Sequence, residues 1–180
     1  MESVVLVELD EEYWAGRLDK VAAWLGTVAL TQSTFRRLAE SAVDAVEEPH
    51  IRAYLSDVAE TARRHERRVE DLYRVIGREP GRSRELGAAA LSKVQQALGE
   101  VLGRAGGAKD GWNTLRQLLP VNLDAIGAFA TVEQLGLALG LNHLAEAVFP
   151  IVREKETHQL LIQEFVLEMA TQAILYEGGL

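Results

Sequence analysis

Cysteine is absent from this 180-residue chain. That excludes disulfides, thiolate metal sites and a cysteine nucleophile, and it fits a reducing compartment. Proline is scarce, at four residues, so few positions interrupt a helix. Aromatic residues are only 6% of the chain, which argues against a haem pocket between histidines. There is no basic excess: 19 lysines and arginines stand against 27 acidic residues, a net charge of −8. A phosphate-backbone binder needs a basic face, so nucleic acid is not an expected partner. No apolar run approaches the roughly 20 residues that span a bilayer, so no membrane partner is expected. The start, Met1 to Glu8, has acidic flanks around a short apolar core. A secretory signal needs a basic region and a longer apolar stretch, so a cytoplasmic protein is expected. Gly-rich phosphate loops and the Gly-x-Ser-x-Gly elbow are missing too, and the serines have no evident base partner.

What the chain does have is Ala, Leu, Glu, Arg and Gln, all good helix formers, within a 48% apolar composition. Apolar residues recur in alternating steps of three and four, the pattern of a bundle seam. The spacing predicts five helices, over about 12–47, 49–76, 84–104, 112–139 and 142–176. Pro49 and Gly77 bracket the second helix, and Gly140 stops the fourth. Asn142 is the expected N-cap of the fifth. Pro120 and Pro150 fall inside helices and are expected to bend them or stay near a helix start. Residues 105–111, with three glycines, read as a linker. Helices of about 28 to 36 residues would span roughly 42 to 54 Å. Residues 1–10 are expected to form an apolar arm and 11–180 a single helical domain.

Five polar residues interrupt these apolar seams: Gln32, His65, Asn122, Lys155 and His158. In a bundle such positions face one another, and an unpaired buried polar group costs on the order of 1–3 kcal/mol, so a network or bound water is expected. The basic cluster Arg63-Arg64-His65-Glu66-Arg67-Arg68 reads as a solvated face with carboxylate partners. His50 and His143 are expected at the surface, and Trp14, Trp24 and Trp112 as packing anchors.

Three stretches carry a family likeness: Arg37 to Ala42 running into the Pro49 break, Ala59 to Gly77 around Ala62-Arg63-Arg64-His65, and Phe129 to Leu161 including Lys155-Glu156-Thr157-His158. Over residues 15 to 165 the chain resembles the ferritin-like superfamily. It is most similar to small bacterial stress-associated ferritin-like proteins with a short crossover helix. The resemblance implies an all-α, ferritin-like four-helix bundle of two long hairpins joined by an extra short crossover helix.

It also implies a di-metal site built from a glutamate of the first helix, a Glu-x-x-His of the second, a glutamate of the fourth and a Glu-x-x-His of the fifth. The carried-over positions are Val28 or Gln32, then Ala62 and His65, then Ala125, then Lys155 and His158. Only the histidines match. Paired iron ions need bridging carboxylates, and a protonated lysine cannot ligate. Three readings of the polar seam stay open. Lys155 replaces the metals, with Glu133, Asp124 or Glu154 balancing its charge. Alternatively, helix rotation lets Lys155 snorkel to solvent. In the third, His65 and His158 with Asp124 or Glu133 hold a single zinc or iron ion.

The function expected is therefore a non-catalytic bundle that has lost its di-metal site, with a structural or protein-interaction role and a stress-related setting. No cofactor is expected. A homodimer is the expected assembly, with the arm, Tyr13 and Trp14 as a partner surface. The alternatives are a divergent metal-binding member with iron-handling or oxidoreductase activity, and a small-ligand binder using the polar seam.

Overall fold

The computed structural model describes residues 10–80 and 108–176. Within them the chain forms four helices and no strand: α1 (Glu11–Ala45), α2 (Pro49–Val75), α3 (Ala108–Ala138) and α4 (Asn142–Leu175). The arm and the helix predicted over 84–104 lie outside the described residues. Among the described residues, no helix is long and apolar enough to cross a membrane.

Local chemistry explains most of the boundaries. Pro49 is the first residue of α2, where its missing N–H costs nothing. Gly77 takes φ +64° after α2, and the N–H groups of Gly77 and Arg78 close onto the carbonyls of Arg74 and Tyr73. Gly140 repeats this at φ +68°, with Leu141 N–H 2.8 Å from the Gly136 oxygen. Both are Schellman stops, which favour glycine because left-handed geometry strains a side chain. Pro120 and Pro150 lie inside α3 and α4 at exposed positions.

Two boundaries differ from expectation. The Leu141 carbonyl already accepts from Leu144 and Ala145, so Leu141 is the N-cap of α4 and Asn142 its first helical residue. No side-chain bond caps this helix. The second difference is that α3 begins at Ala108, inside the expected linker. Gly111 is buried against the end of α1, and a Cβ there would lie 2.7 Å from the Ala45 carbonyl oxygen. This glycine is a close-approach point rather than a sign of loop.

The ends of the helices set the topology. Arg78, just past α2, donates to Asp19 and to the Ala15 carbonyl near the start of α1. Gly111, near the start of α3, touches Ala45 at the end of α1. Trp112 Nε1 donates to the Val166 carbonyl late in α4, at 2.9 Å. Each neighbouring pair is therefore antiparallel: α1 lies between α2 and α3, and α4 between α3 and α2. The chain leaves α2 at the end where α1 begins and enters α3 at the end where α1 finishes. Residues 81–107 thus join opposite ends of the bundle. The α2–α4 pair makes the loosest contact of the four.

The interior divides into two apolar clusters. One gathers Leu25, Val28, Leu72, Phe129, Val132, Leu144 and Val148; the other gathers Phe35, Leu38, Leu55, Val58, Leu115, Leu118 and Ile162. Each fully buried side chain of this size contributes roughly 1.5–3 kcal/mol. Between the clusters, on all four helices, lies a band of buried polar residues.

Candidate functional site: a polar layer between two apolar cores

Each helix delivers at least one buried polar side chain to the band. Gln32 sits one turn from Val28 and Phe35 on α1, and His65 between Ala62 and Val69 on α2. Asn122 lies between Leu118 and Ala125 on α3, and Lys155 between Ile151 and Ile162 on α4. Seam spacing alone carries these residues inward. Gln32, Asn122 and Lys155 are 0% exposed and His65 is 2% exposed. The alternative in which helix rotation carries Lys155 to solvent is therefore overturned, because position 155 shares the inward face with Ile151 and Ile162.

Lys155 is the centre of the layer. Its Nζ donates to Asn122 Oδ1 at 3.1 Å and lies 3.9 Å from the centroid of the Phe35 ring. Asn122 returns a bond through Nδ2, which donates to the Lys155 carbonyl at 3.0 Å and to Gln159 Oε1 at 3.0 Å. The expected counter-charge is not supplied by Glu154, which instead bonds His65 and Arg64. Asp124 is exposed and Glu133 half-buried. With an amide and a ring face as its recorded partners, the buried amine is pushed down to about 7 by desolvation. Asn122 and the π-face soften that cost without cancelling it.

The flanking groups follow the same logic. Gln32 Nε2 donates to the Ala62 carbonyl at 2.9 Å, while its buried Oε1 has no hydrogen-bond partner. Burial pushes His65 down to about 4; the bond to Glu154 opposes this and the charge of Lys155 assists it. A neutral His65 therefore donates its Nε2–H to Glu154 Oε2 at 2.7 Å. Burial works to raise the Glu154 carboxyl, but His65 and Arg64 prevail and hold it below its usual range.

His158 belongs less to the layer than to the α2–α4 seam. It is half-buried, and its ring meets Tyr54 edge-on with centroids 6.1 Å apart. Burial, with the charge of Lys155, pushes it down to about 4. Its Nδ1 and the Tyr54 hydroxyl are both buried without hydrogen-bond partners. Burial also pushes Tyr54 up to about 12.

The metal alternative required His65, His158 and Asp124 or Glu133 to converge. Among the described residues, no three or more His, Asp or Glu side chains are placed to hold a metal ion. The donor set does not fit the di-iron centre that the resemblance implies either, because Lys155 brings an amine where that centre would need a carboxylate.

Phe35, Gln159 and Tyr54 join the site without having been singled out for it. Phe35 looks in sequence like any seam residue, and only the facing of α1 and α4 puts its ring under an amine. Gln159 is one turn after Lys155, a legible but unspecific signal. Other expectations concern the surface. Arg63 pairs with Glu40, Arg64 with Glu154 and Arg68 with Asp71, so these cations have carboxylate partners. His50 and His143 are exposed. Trp24 and Trp112 anchor neighbouring helices through indole bonds to the carbonyls of Ala128 and Val166.

Compared with models of known families, with curated proteins and with solved structures, the chain finds no significant match.

Proposed function

We propose that this chain is a non-catalytic helical bundle of the ferritin-like kind, with a Lys155-centred polar layer in place of a di-metal centre. Its role in this reading is structural or protein-interacting, in the stress-related setting that the resemblance implies. One observation carries it: Lys155 Nζ is fully buried at the middle of the bundle, bonded to an amide and stacked on a ring. A lysine so placed fills the space ligands would need and, while protonated, repels cations. The run of residues 81–107 between opposite ends of the bundle supports the ferritin-like reading, since a long crossover marks that variant. A polar layer between two apolar clusters has a physical use without chemistry. It penalises any helix register that leaves its donors and acceptors unpaired, and so favours a single packing.

The test is direct. The purified protein is incubated with ferrous or zinc ions, desalted, and analysed for bound metal. Substoichiometric metal is expected, unchanged in a His65→Ala/His158→Ala variant. Stoichiometric metal that disappears in that variant would overturn the reading in favour of a metal-handling member.

A further inference from the structure

Lys155 stands where a charge is costly and a nucleophile is favoured. Its side chain crosses the bundle from α4 to the diagonal helix α1, where Nζ lies 3.9 Å from the centroid of the Phe35 ring. The residue is 0% exposed. Its recorded partners, that ring and the Asn122 amide oxygen at 3.1 Å, carry no negative charge. Desolvation without a counter-charge favours the neutral amine. A neutral amine has a free lone pair, and lysines desolvated in this way are suited to attack carbon electrophiles.

Burial also selects the electrophile. A keto acid or sugar aldehyde brings polar groups that the apolar clusters on either side of the layer would exclude. Carbon dioxide is neutral, without a dipole and very small, and small apolar molecules enter protein interiors that stay dry. The loosest helix contact, α2–α4, runs past His158, one turn from Lys155. Local opening is easiest where packing is thinnest.

We propose that Lys155 is a carbon dioxide site, forming a carbamate on Nζ with His158 as the proton acceptor. The Nζ lone pair attacks the carbon, one C=O π bond becomes an oxyanion, and one N–H proton passes to the imidazole. The nitrogen keeps one hydrogen, which goes on donating to Asn122 Oδ1. His158 suits the proton because its Nδ1 is buried without a hydrogen-bond partner, whereas His65 is committed to Glu154. The charge of Lys155 helps to hold His158 down to about 4, so the imidazole senses the amine. Replacing that positive charge by a negative one reverses the influence, and the imidazolium becomes the counter-charge of the carbamate. Amine, carbon dioxide and imidazole are neutral before the step, and the product charges sum to zero, so the layer gains no net charge. The planar carbamate takes the place of the amine on the Phe35 face. The inference goes beyond the reading above: it makes the layer a modification site, and it stands on the buried amine whether or not the bundle is of the ferritin-like kind.

The test uses the full chain with chelator at about pH 7.5, where an ordinary lysine is neutral in roughly one molecule in a thousand. The chain is equilibrated with isotopically labelled bicarbonate and followed by carbon NMR. Carbamates are then trapped as esters with a trialkyloxonium salt and mapped by peptide mass. A carbamate at Lys155 is expected at an occupancy at least tenfold above that of the exposed Lys20. The α-amino group, partly neutral at this pH, is the internal reference. Lys155→Met is expected to lose one carbon signal and keep the reference. His158→Phe is expected to lower occupancy at Lys155 at least tenfold with unchanged helical circular dichroism. At fixed pH the urea midpoint of wild type should rise with carbon dioxide, and that of Lys155→Met should not. No label at Lys155, or label no greater than at Lys20, overturns the proposal. So does a His158→Phe variant labelled like wild type, or a midpoint that rises equally without Lys155. If Lys155→Met fails to fold, the mapped label in wild type decides alone. The chelator keeps metal out of this test: a missing carbamate leaves the polar-layer reading standing, and stoichiometric metal in its own assay sinks that reading alone.

Discussion

Asn122 holds Lys155 at both ends. Its Oδ1 accepts from the ammonium nitrogen at 3.1 Å, and its Nδ2 donates to the backbone carbonyl of the same residue at 3.0 Å. One side chain of α3 thus fixes both the height of α4 and the direction of its buried lysine. That relationship leads to predictions about stability, pH and packing.

Lys155→Met is expected to raise stability by about 1–2 kcal/mol at pH 6–7. Removing a buried ammonium without a carboxylate partner gains more than the Asn122 bond it forfeits. The gain should shrink toward pH 9.5. Lys155 has a folded value near 7 and an ordinary value of 10.5, so between these the unfolded chain binds more protons. Wild-type stability then rises with pH at up to roughly 1.4 kcal/mol per unit and is lost as pH falls toward 7. Above pH 10 Tyr54, held at about 12, opposes the rise, because the unfolded phenol ionises first. Urea unfolding at pH 6, 7, 8 and 9 measures both slopes. A methionine variant that fails to fold would instead mean that the lysine network is required.

Asn122→Asp should supply the missing counter-charge. The amine then stays protonated in the fold, and the rise in stability between pH 7 and 9.5 should flatten. Asn122→Ala is expected to cost about 2–3 kcal/mol, because it removes an acceptor from Nζ and opens a void. The pair can be compared with wild type by the same unfolding curves. A wild-type pH slope in the aspartate variant would contradict the assignment.

The acid limb should belong largely to the histidines. His65 and His158 titrate near 4 in the fold against an ordinary 6.5, so the unfolded chain binds more protons between these values. Stability present above pH 6.5 is therefore lost as pH falls toward 4. In His65→Gln/His158→Gln the loss over that interval should be markedly smaller, read from thermal melts at half-unit steps. Glu154, held below its usual range, adds its own loss at lower pH.

Gly111→Ala should destabilise by about 1–3 kcal/mol, since the new methyl would sit 2.7 Å from the Ala45 carbonyl and push α3 off the end of α1. Gly127→Ala, which meets nothing within 4 Å, is expected to be neutral or slightly stabilising in the same helix. Melting temperatures of the two variants test the contrast.

The four described helices, most of their stops and the inward face of each were legible in the chain itself. Three-and-four spacing carries Gln32, His65, Asn122 and Lys155 inward however the bundle is assembled, and Pro49, Gly77 and Gly140 mark breaks through backbone sterics alone. Partner choice was not legible. Whether Lys155 meets a carboxylate, an amide or a ring depends on the relative heights of α1, α3 and α4, and apolar periodicity leaves that height undetermined to within a turn. Glu154 therefore looked like a partner of Lys155 and belongs to His65, while Phe35 looked like ordinary core and carries the amine. Gly111 looked like linker for the same reason, its purpose lying in a residue 66 positions away. Sequence determines which side chains leave water; only the tertiary structure decides what each of them finds there, because burial is a property of one helix face and pairing is a property of two.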